Sequence, residues 1–281
     1  MSNCIDVCGL ALAAERRPAV ALDHVSNRVM WINDERVFYA GLLGAMSSRT
    51  MGGWHLYVAL GAPIRISVNG AAWQTTELAV VPPYQPHRVD CDERLIGDLV
   101  IEPETVSAQA LPAFVRQASG AVPNEQGFVR RMREFHAWLC ARGRGLPPRS
   151  AEADAFLFGH ALAPRVLDAR ISRVLQSINR DPAAALTALE CAAQAGLSFS
   201  RFLHLFKQQT NTSFRNLRAW KRARSLLHHV TRDANLLNVA LDTGYPDSTH
   251  FSHTIRQVYG LRPRDIFAGS RRLTVVGAAG G

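Results

Sequence analysis

The sequence predicts an α+β chain: a β-rich N-terminal half folded as a small antiparallel barrel or sandwich, then an all-α domain built on two helix-turn-helix motifs. Three observations carry that prediction. Residues 28–102 break into short segments rich in Val, Ile and aromatics, separated by Gly, Pro or Asn. From about residue 104 the apolar side chains recur at helical spacing. The segment that starts at Ala192 occurs again from Ala240.

The strand segments are "RVMWI", "RVFYAGLL", "WHLYVAL", "IRISVNG", "LAVVPPY", "HRVDC" and "LIGDLVIEP". Asn69-Gly70 is a hairpin signal, because both residues tolerate the positive φ that a tight two-residue turn requires. Alternation places either Trp54, Leu56 and Val58 or His55, Tyr57 and Ala59 toward the interior. In "EQGFVRRMREFHAWLCARG" the spacing of Phe128, Met132, Phe135 and Leu139 predicts a helix. Its apolar stripe fits packing on the strands or a two-fold dimer contact. "GRGLPPRS" is a loop, residues 151–163 are helical again, and Pro164 marks a break. The boundaries are then a domain over 1–163, a linker over 164–170, a helical domain over 171–268 and a flexible tail over 269–281.

The repeat aligns Ala192 with Ala240, Gly196 with Gly244, Phe202 with Phe251, Phe206 with Ile255 and Asn211 with Gly260; one extra residue, Pro246, sits in the second turn. Each copy reads as a helix, a glycine turn and a second helix capped by Ser198 or Asp247. With the large apolar residues inward, Ser200, Arg201, Leu203, His204 and Lys207 lie outward or at the flank in the first copy. Ser248, Thr249, Ser252, His253 and Arg256 do so in the second. Short uncharged polar residues on an outer face suit a helix lying in a major groove, where an acid would meet phosphate. Between the copies, "FRNLRAWKRARSLL" predicts a helix with Arg215, Arg218, Lys221 and Arg224 exposed to backbone phosphate. Charge agrees: 17 of the 32 Lys and Arg but only 7 of the 23 Asp and Glu lie between Arg165 and Arg272, so that stretch holds the whole positive excess.

The segment from about Ile171 to Phe267 resembles the DNA-binding domain of the AraC/XylS family of transcription regulators, most closely in "GYPDSTHFSHTIRQVYGLRP". Tyr245 stands where that family usually has Phe, and Ile255 where it favours Phe late in the last helix. The resemblance implies two recognition helices in successive major grooves of promoter DNA, with Ser200, Leu203, His204, Ser248, Thr249, Ser252 and His253 near bases. It matches Arg222 to the family's inner arginine of the linker helix. It also implies a cupin-like β-barrel in the N-terminal domain that binds a small-molecule effector and forms a homodimer, and RNA polymerase as a partner if the protein activates. Trp54, Tyr57, Trp73, Tyr84 and His87 are the candidate effector residues. Arg49 and Arg65 are candidates for an anionic ligand.

Two rival readings are a cupin-type metal enzyme with a basic helical domain and a nonspecific nucleic-acid-binding protein. The first lacks a ligand set: the strand region offers only His55 and His87, without a His-x-His pair, so no catalytic, metal or cofactor residue is assigned. Cys4 and Cys8 form a C-x-x-x-C, but five scattered cysteines do not make a disulfide framework. Neither a signal peptide nor a long apolar span is evident, which predicts a cytoplasmic protein off the membrane.

Overall fold

The computed structural model describes residues 27–42, 44, 47–93, 95–143, 145–230, 236–270 and 273–276. Cys4 and Cys8 lie outside them. The N-terminal part opens with β1 (Val29–Ile32), β2 (Arg36–Leu42), β3 (Trp54–Ala59), β4 (Ile64–Val68), β5 (Gln74–Thr76), β6 (Leu78–Val81), β7 (His87–Cys91) and β8 (Leu95–Ile101). Then come a short α1 (Ala113–Gln117), β9 (Gly120–Ala121), α2 (Gln126–Arg142) and α3 (Ser150–Phe158). The helical part holds α4 (Ala169–Arg180), α5 (Ala188–Gln194), α6 (Phe199–Thr210), α7 (Phe214–Ser225), α8 (Leu236–Asp242), α9 (Ser248–Tyr259) and α10 (Pro263–Ser270). Last is a strand, β10 (Thr274–Val276).

The strands form two sheets, not the closed cupin-like barrel that the resemblance implied. One has seven strands in the order β10-β1-β2-β8-β3-β6-β9; the other has three, β5-β4-β7. Of the alternatives that the strand pattern left open, the open two-sheet arrangement is the one that forms. Both faces of the large sheet are buried, which explains why β1 and β6 are continuously apolar rather than alternating. One face, with Trp31, Phe38, Leu56 and Leu99, packs on Phe128, Met132, Phe135 and Leu139 of α2 and on α3. The α2 stripe is therefore buried against the sheet and is not free for a dimer contact. An Arg36–Asp154 ion pair, bonded through Nε at 3.0 Å and Nη2 at 2.7 Å, fixes α3 to β2.

The other face, with Met30, Tyr57, Val81 and Val100, covers Ile64, Ile66 and Val89 of the small sheet. It also shares one continuous core with Trp220, Val239, Ala240, Tyr245, Phe251 and Ile255 of the helical part. A separate core joins Ile171, Ile178, Cys191, Phe202, Phe206, Phe214 and Leu217, uniting α4, α5, α6 and the start of α7. The tail is not uniformly flexible as expected: Thr274, Val275 and Val276 pair in parallel with Val29, Met30 and Trp31 as the sheet's edge strand. Residues 277–281 lie outside the described residues.

Candidate nucleic-acid interface and interdomain cavity

Both copies of the repeat fold alike. After α5 the chain turns at Gly196 with φ 64°, and after α8 at Gly244 with φ 78°. The turns close with matching bonds, Leu197 N to Ala192 O and Tyr245 N to Ala240 O, each at 2.9 Å. Ser198 caps α6 by accepting from Arg201 N; Asp247 caps α9 by accepting from His250 N. Asn211 and Gly260 end the two helices in left-handed conformation. Gly244 has a second duty, since a Cβ there would strike the Ala183 backbone.

On α6, Ser200, Arg201, His204 and Lys207 are exposed, whereas Leu203 is half-buried against the separate core of α4–α6. On α9, Ser248, Thr249, His253 and Arg256 are exposed and Ser252 is half-buried. Spacings of three and four residues put each set along one helix face.

The arginines of α7 divide between two tasks. Arg215 is exposed. Arg218 donates to the carbonyls of Leu186 and Ala184, and Arg222 donates to that of Pro182 while its guanidinium lies 5.8 Å from the Tyr245 ring. Those two bind the α4–α5 connection to α7. Lys221 and Arg224 face the sheet domain. Lys221, 3% exposed, donates to Glu102 at 2.8 Å and contacts Glu104; Trp220 Nε1 donates to Glu102 at 2.9 Å. Arg224 Nε lies 2.8 Å from Glu102, an ion contact without a well-aligned N–H, and its Nη2 donates to the Asn33 carbonyl. Two buried cations thus meet two buried carboxylates. Burial alone would push the Glu102 carboxyl up, but Lys221, Arg224 and Trp220 hold it below the ordinary value. Burial likewise opposes the Lys221 charge, and Glu102 with Glu104 outweighs it, so its pKa is raised.

Beside this cluster a cavity of about 500 Å³ separates the large sheet from the helical part. Its walls are mostly apolar: Met30, Val37, Met51, Ile96 and Val100 on one side, Trp220, Leu227, Leu261, Ile266 and Leu273 on the other. Arg49, His55, Tyr57 and Asp98 of the N-terminal part line it too, as do Tyr259, Asp265 and Ser270 of the helical part. His55 Nδ1–H donates to Asp98 at 2.9 Å, while His55 Nε2 has no partner among the described residues. Arg49, 6% exposed, lies beside Tyr57, and its Nε and Nη2 also have no partner there. Tyr57 O–H bonds to His87 Nε2 at 2.9 Å, and His87 Nδ1 to the Gln85 carbonyl at 3.0 Å. Burial and neighbouring His55 push the His87 pKa down to about 3, which keeps that ring neutral.

Of the expected effector residues, only Tyr57 lines this cavity. His87 stands behind it. Trp54 packs on the opposite face of the sheet, Trp73 is 40% exposed under the Arg88 guanidinium, and Tyr84 sits in a turn whose N–H bonds to Met51. Arg65 is exposed and paired with Asp90. Among the described residues no three His, Cys, Asp or Glu side chains form a metal-ligand group.

A helix-turn-helix domain family model matches residues 191–269, from α5 into α10. The HTH-type transcriptional activator RhaS of Klebsiella pneumoniae is 33% identical over 105 residues, covering 36% of this chain and 37% of that protein. The invasion protein InvF of Salmonella typhi is 32% identical over 72 residues, 25% of this chain and 33% of that protein. The helical part therefore carries a helix-turn-helix domain over α5 to α10 and is similar there to RhaS and InvF. The chain spans about a third of the length of these curated relatives. A crystal structure of ToxT from Vibrio cholerae O395 superposes with a TM-score of 0.55 at 9% identity, covering 84% of this chain and 98% of that one. Unsaturated fatty acid bound ToxT superposes with a TM-score of 0.51 at 8% identity, covering 84% and 96%. At such identity the likeness is one of fold.

The helix-turn-helix match accounts for the repeat but not for its attachment. Of the two arginines expected as candidates for an anionic ligand, Arg49 lines the cavity and Arg65 does not, and His55 lies on the inward-facing set with Tyr57 that the alternation left open. Asp98, Glu102, Glu104 and Trp220 carried no local signal, since their roles depend on segments far apart in the chain.

Proposed function

We propose that this protein is a sequence-specific DNA-binding transcription regulator in which α6 and α9 read bases and the interdomain cavity receives a small effector. What carries the first half is the duplicated unit inside an AraC-type domain: two capped recognition helices of 12 residues, each presenting short polar side chains on one face. Ser248, Thr249, Ser252 and His253 are suited to base edges, as are Ser200, Leu203 and His204; Arg201, Lys207, Arg215 and Arg256 are suited to phosphate. Arg218, Lys221 and Arg222 hold the domain together in this arrangement. The partner is double-stranded promoter DNA, met in the cytoplasm, with RNA polymerase added if the protein activates. A homodimer would use a surface other than the α2 stripe.

The test is a selection of DNA sequences with the full chain, repeated with Ser252→Ala and His253→Ala at fixed salt. The expected result is a bipartite site with half-sites about one helical turn apart, one half blurred by the substitutions at a cost of about 1–3 kcal/mol per lost base contact. Equal binding of all sequences, with affinity falling steeply as salt rises, would leave a nonspecific nucleic-acid-binding protein instead.

For the effector, the supporting observation is the open edge of Arg49. Nε and Nη2 point the same way, and this molecule already uses that edge of Arg36 to grip the Asp154 carboxylate. With mostly apolar walls and with Asp98 and Asp265 in the lining to repel a second anion, the cavity suits a monocarboxylate with an apolar body, the chemistry of the fatty acid bound by ToxT. Both parts of the chain line the cavity, so a ligand that binds one arrangement better biases the presentation of α9 to DNA, and DNA reciprocates. Oleate is the probe. Arg49→Met should weaken its binding about 10–100-fold by titration calorimetry, as expected for a lost charged bidentate contact. Unchanged affinity would remove Arg49 from the site.

A further inference from the structure

The last strand raises a separate question: why a DNA-binding chain returns to the edge of the N-terminal sheet after its final helix. β10 lies beyond the matched residues 191–269, so the helix-turn-helix unit does not require it. Its hold is short. Thr274 N donates to the Arg28 carbonyl at 3.0 Å, three residues pair with β1, and Val276 (1% exposed) anchors the end in the core around Val29 and Trp31. The segment leading to it forms a cavity wall, with Leu261, Ile266, Ser270 and Leu273 all lining the space. Met30 does two things at once: its side chain lines the cavity while its backbone pairs with Val275.

We infer that β10 is a strap that keeps α10 closed over the interdomain cavity, and that its release from β1 opens this wall for ligand passage. A three-residue parallel edge strand opens at lower free energy than the central strands β3 and β8. α9 does not depend on the strap, because Thr50 N donates to the carbonyls of Gln257 and Val258 at 3.1 Å and Ser47 Oγ to that of Gly260. Release therefore swings α10 and leaves the recognition helix seated. A ligand reaching Met30 touches the strand that the strap grips, so occupancy and closure are coupled. The biological meaning rests on the effector reading above; the opening itself does not.

The test compares the full chain with a chain ending at Ser270 and with Thr274→Pro, which removes the donor to Arg28. Hydrogen exchange is followed by mass spectrometry, and entry of the anionic dye 1-anilinonaphthalene-8-sulfonate by stopped flow. Arg49→Met in the same backgrounds identifies the dye signal that comes from the cavity. The expected result in both altered chains is exchange at least tenfold faster in Pro263–Ser270, with Trp54–Ala59 and Gln257–Tyr259 still protected, and dye entry faster by a similar factor. Exchange in Pro263–Ser270 and dye kinetics equal to those of the full chain would overturn the strap. Loss of protection throughout the N-terminal sheet in both altered chains would also overturn it, since β10 would then be a structural member of the sheet. Neither readout uses DNA or a native effector, so this inference and the effector reading fail separately.

Discussion

Lys221 shows how one residue's meaning depends on what lies across from it. Its sequence neighbours made it a phosphate contact, yet Glu102 and Glu104 take it into the interior. Replacing it with Met leaves two buried carboxylates against Arg224 alone, and such a loss costs about 3–5 kcal/mol. Denaturant unfolding of Lys221→Met should show that loss, whereas Arg215→Ala should leave stability unchanged and reduce the salt dependence of DNA binding by about one phosphate contact. The cluster also sets a pH range. Glu102 is held below its ordinary 4.5, so its contribution is complete above that pH and is lost as pH falls through the lowered value. Lys221 is held above its ordinary 10.5, so its contribution is complete below that pH and is lost as pH rises through the raised value. Glu102→Gln should lower stability at neutral pH and flatten the acid limb of the profile. A parallel acid limb would exclude Glu102 as its source.

At the scale of elements, the two glycine turns share the left-handed conformation but differ in their surroundings. Gly196 has open space where a Cβ would go, so Gly196→Ala carries only the left-handed conformational cost of about 1–2 kcal/mol. At Gly244 the added carbon meets the Ala183 backbone as well, and Gly244→Ala should cost about 2–5 kcal/mol. Thermal unfolding of the pair decides it; equal losses would mean that the Ala183 loop yields freely. Elements of this kind were legible because their signals are local: Asn69-Gly70, the Ser198 and Asp247 caps and the repeated glycines each act within a few residues. β10 was not, because three residues give no period to read. The closed barrel failed for a related reason. Strand pattern gives faces and turns, but whether sheet edges meet depends on pairings between distant segments. Arg49 was legible as a candidate for an anionic ligand, but its grouping with His55 and Asp98 was not, since the three lie on separate stretches.

Across the whole molecule, the boundaries of the cores do not follow those of the sequence. The first half of the helical part has a core of its own, while the second half, α8 to α10, shares its core with the N-terminal sheets. α6 and α9, the two helices proposed to read DNA, are thus mounted differently. α6 belongs to a unit joined to the rest through α7, and α9 is bonded to the N-terminal part through Thr50. An effector acting at the cavity would therefore alter the position of one reader against the other through α7, whose Trp220 touches both the cavity and Glu102. Residues 165–281 in isolation would keep the first core but lose the sheet face that covers Val239, Tyr245, Phe251 and Ile255. Hydrogen exchange on that fragment should show protection retained in α4–α6 and reduced at least tenfold in α8–α10 relative to the full chain. Equal retention in both halves would mean that the second unit folds without the sheet, and that its apolar contacts with the N-terminal part serve docking alone.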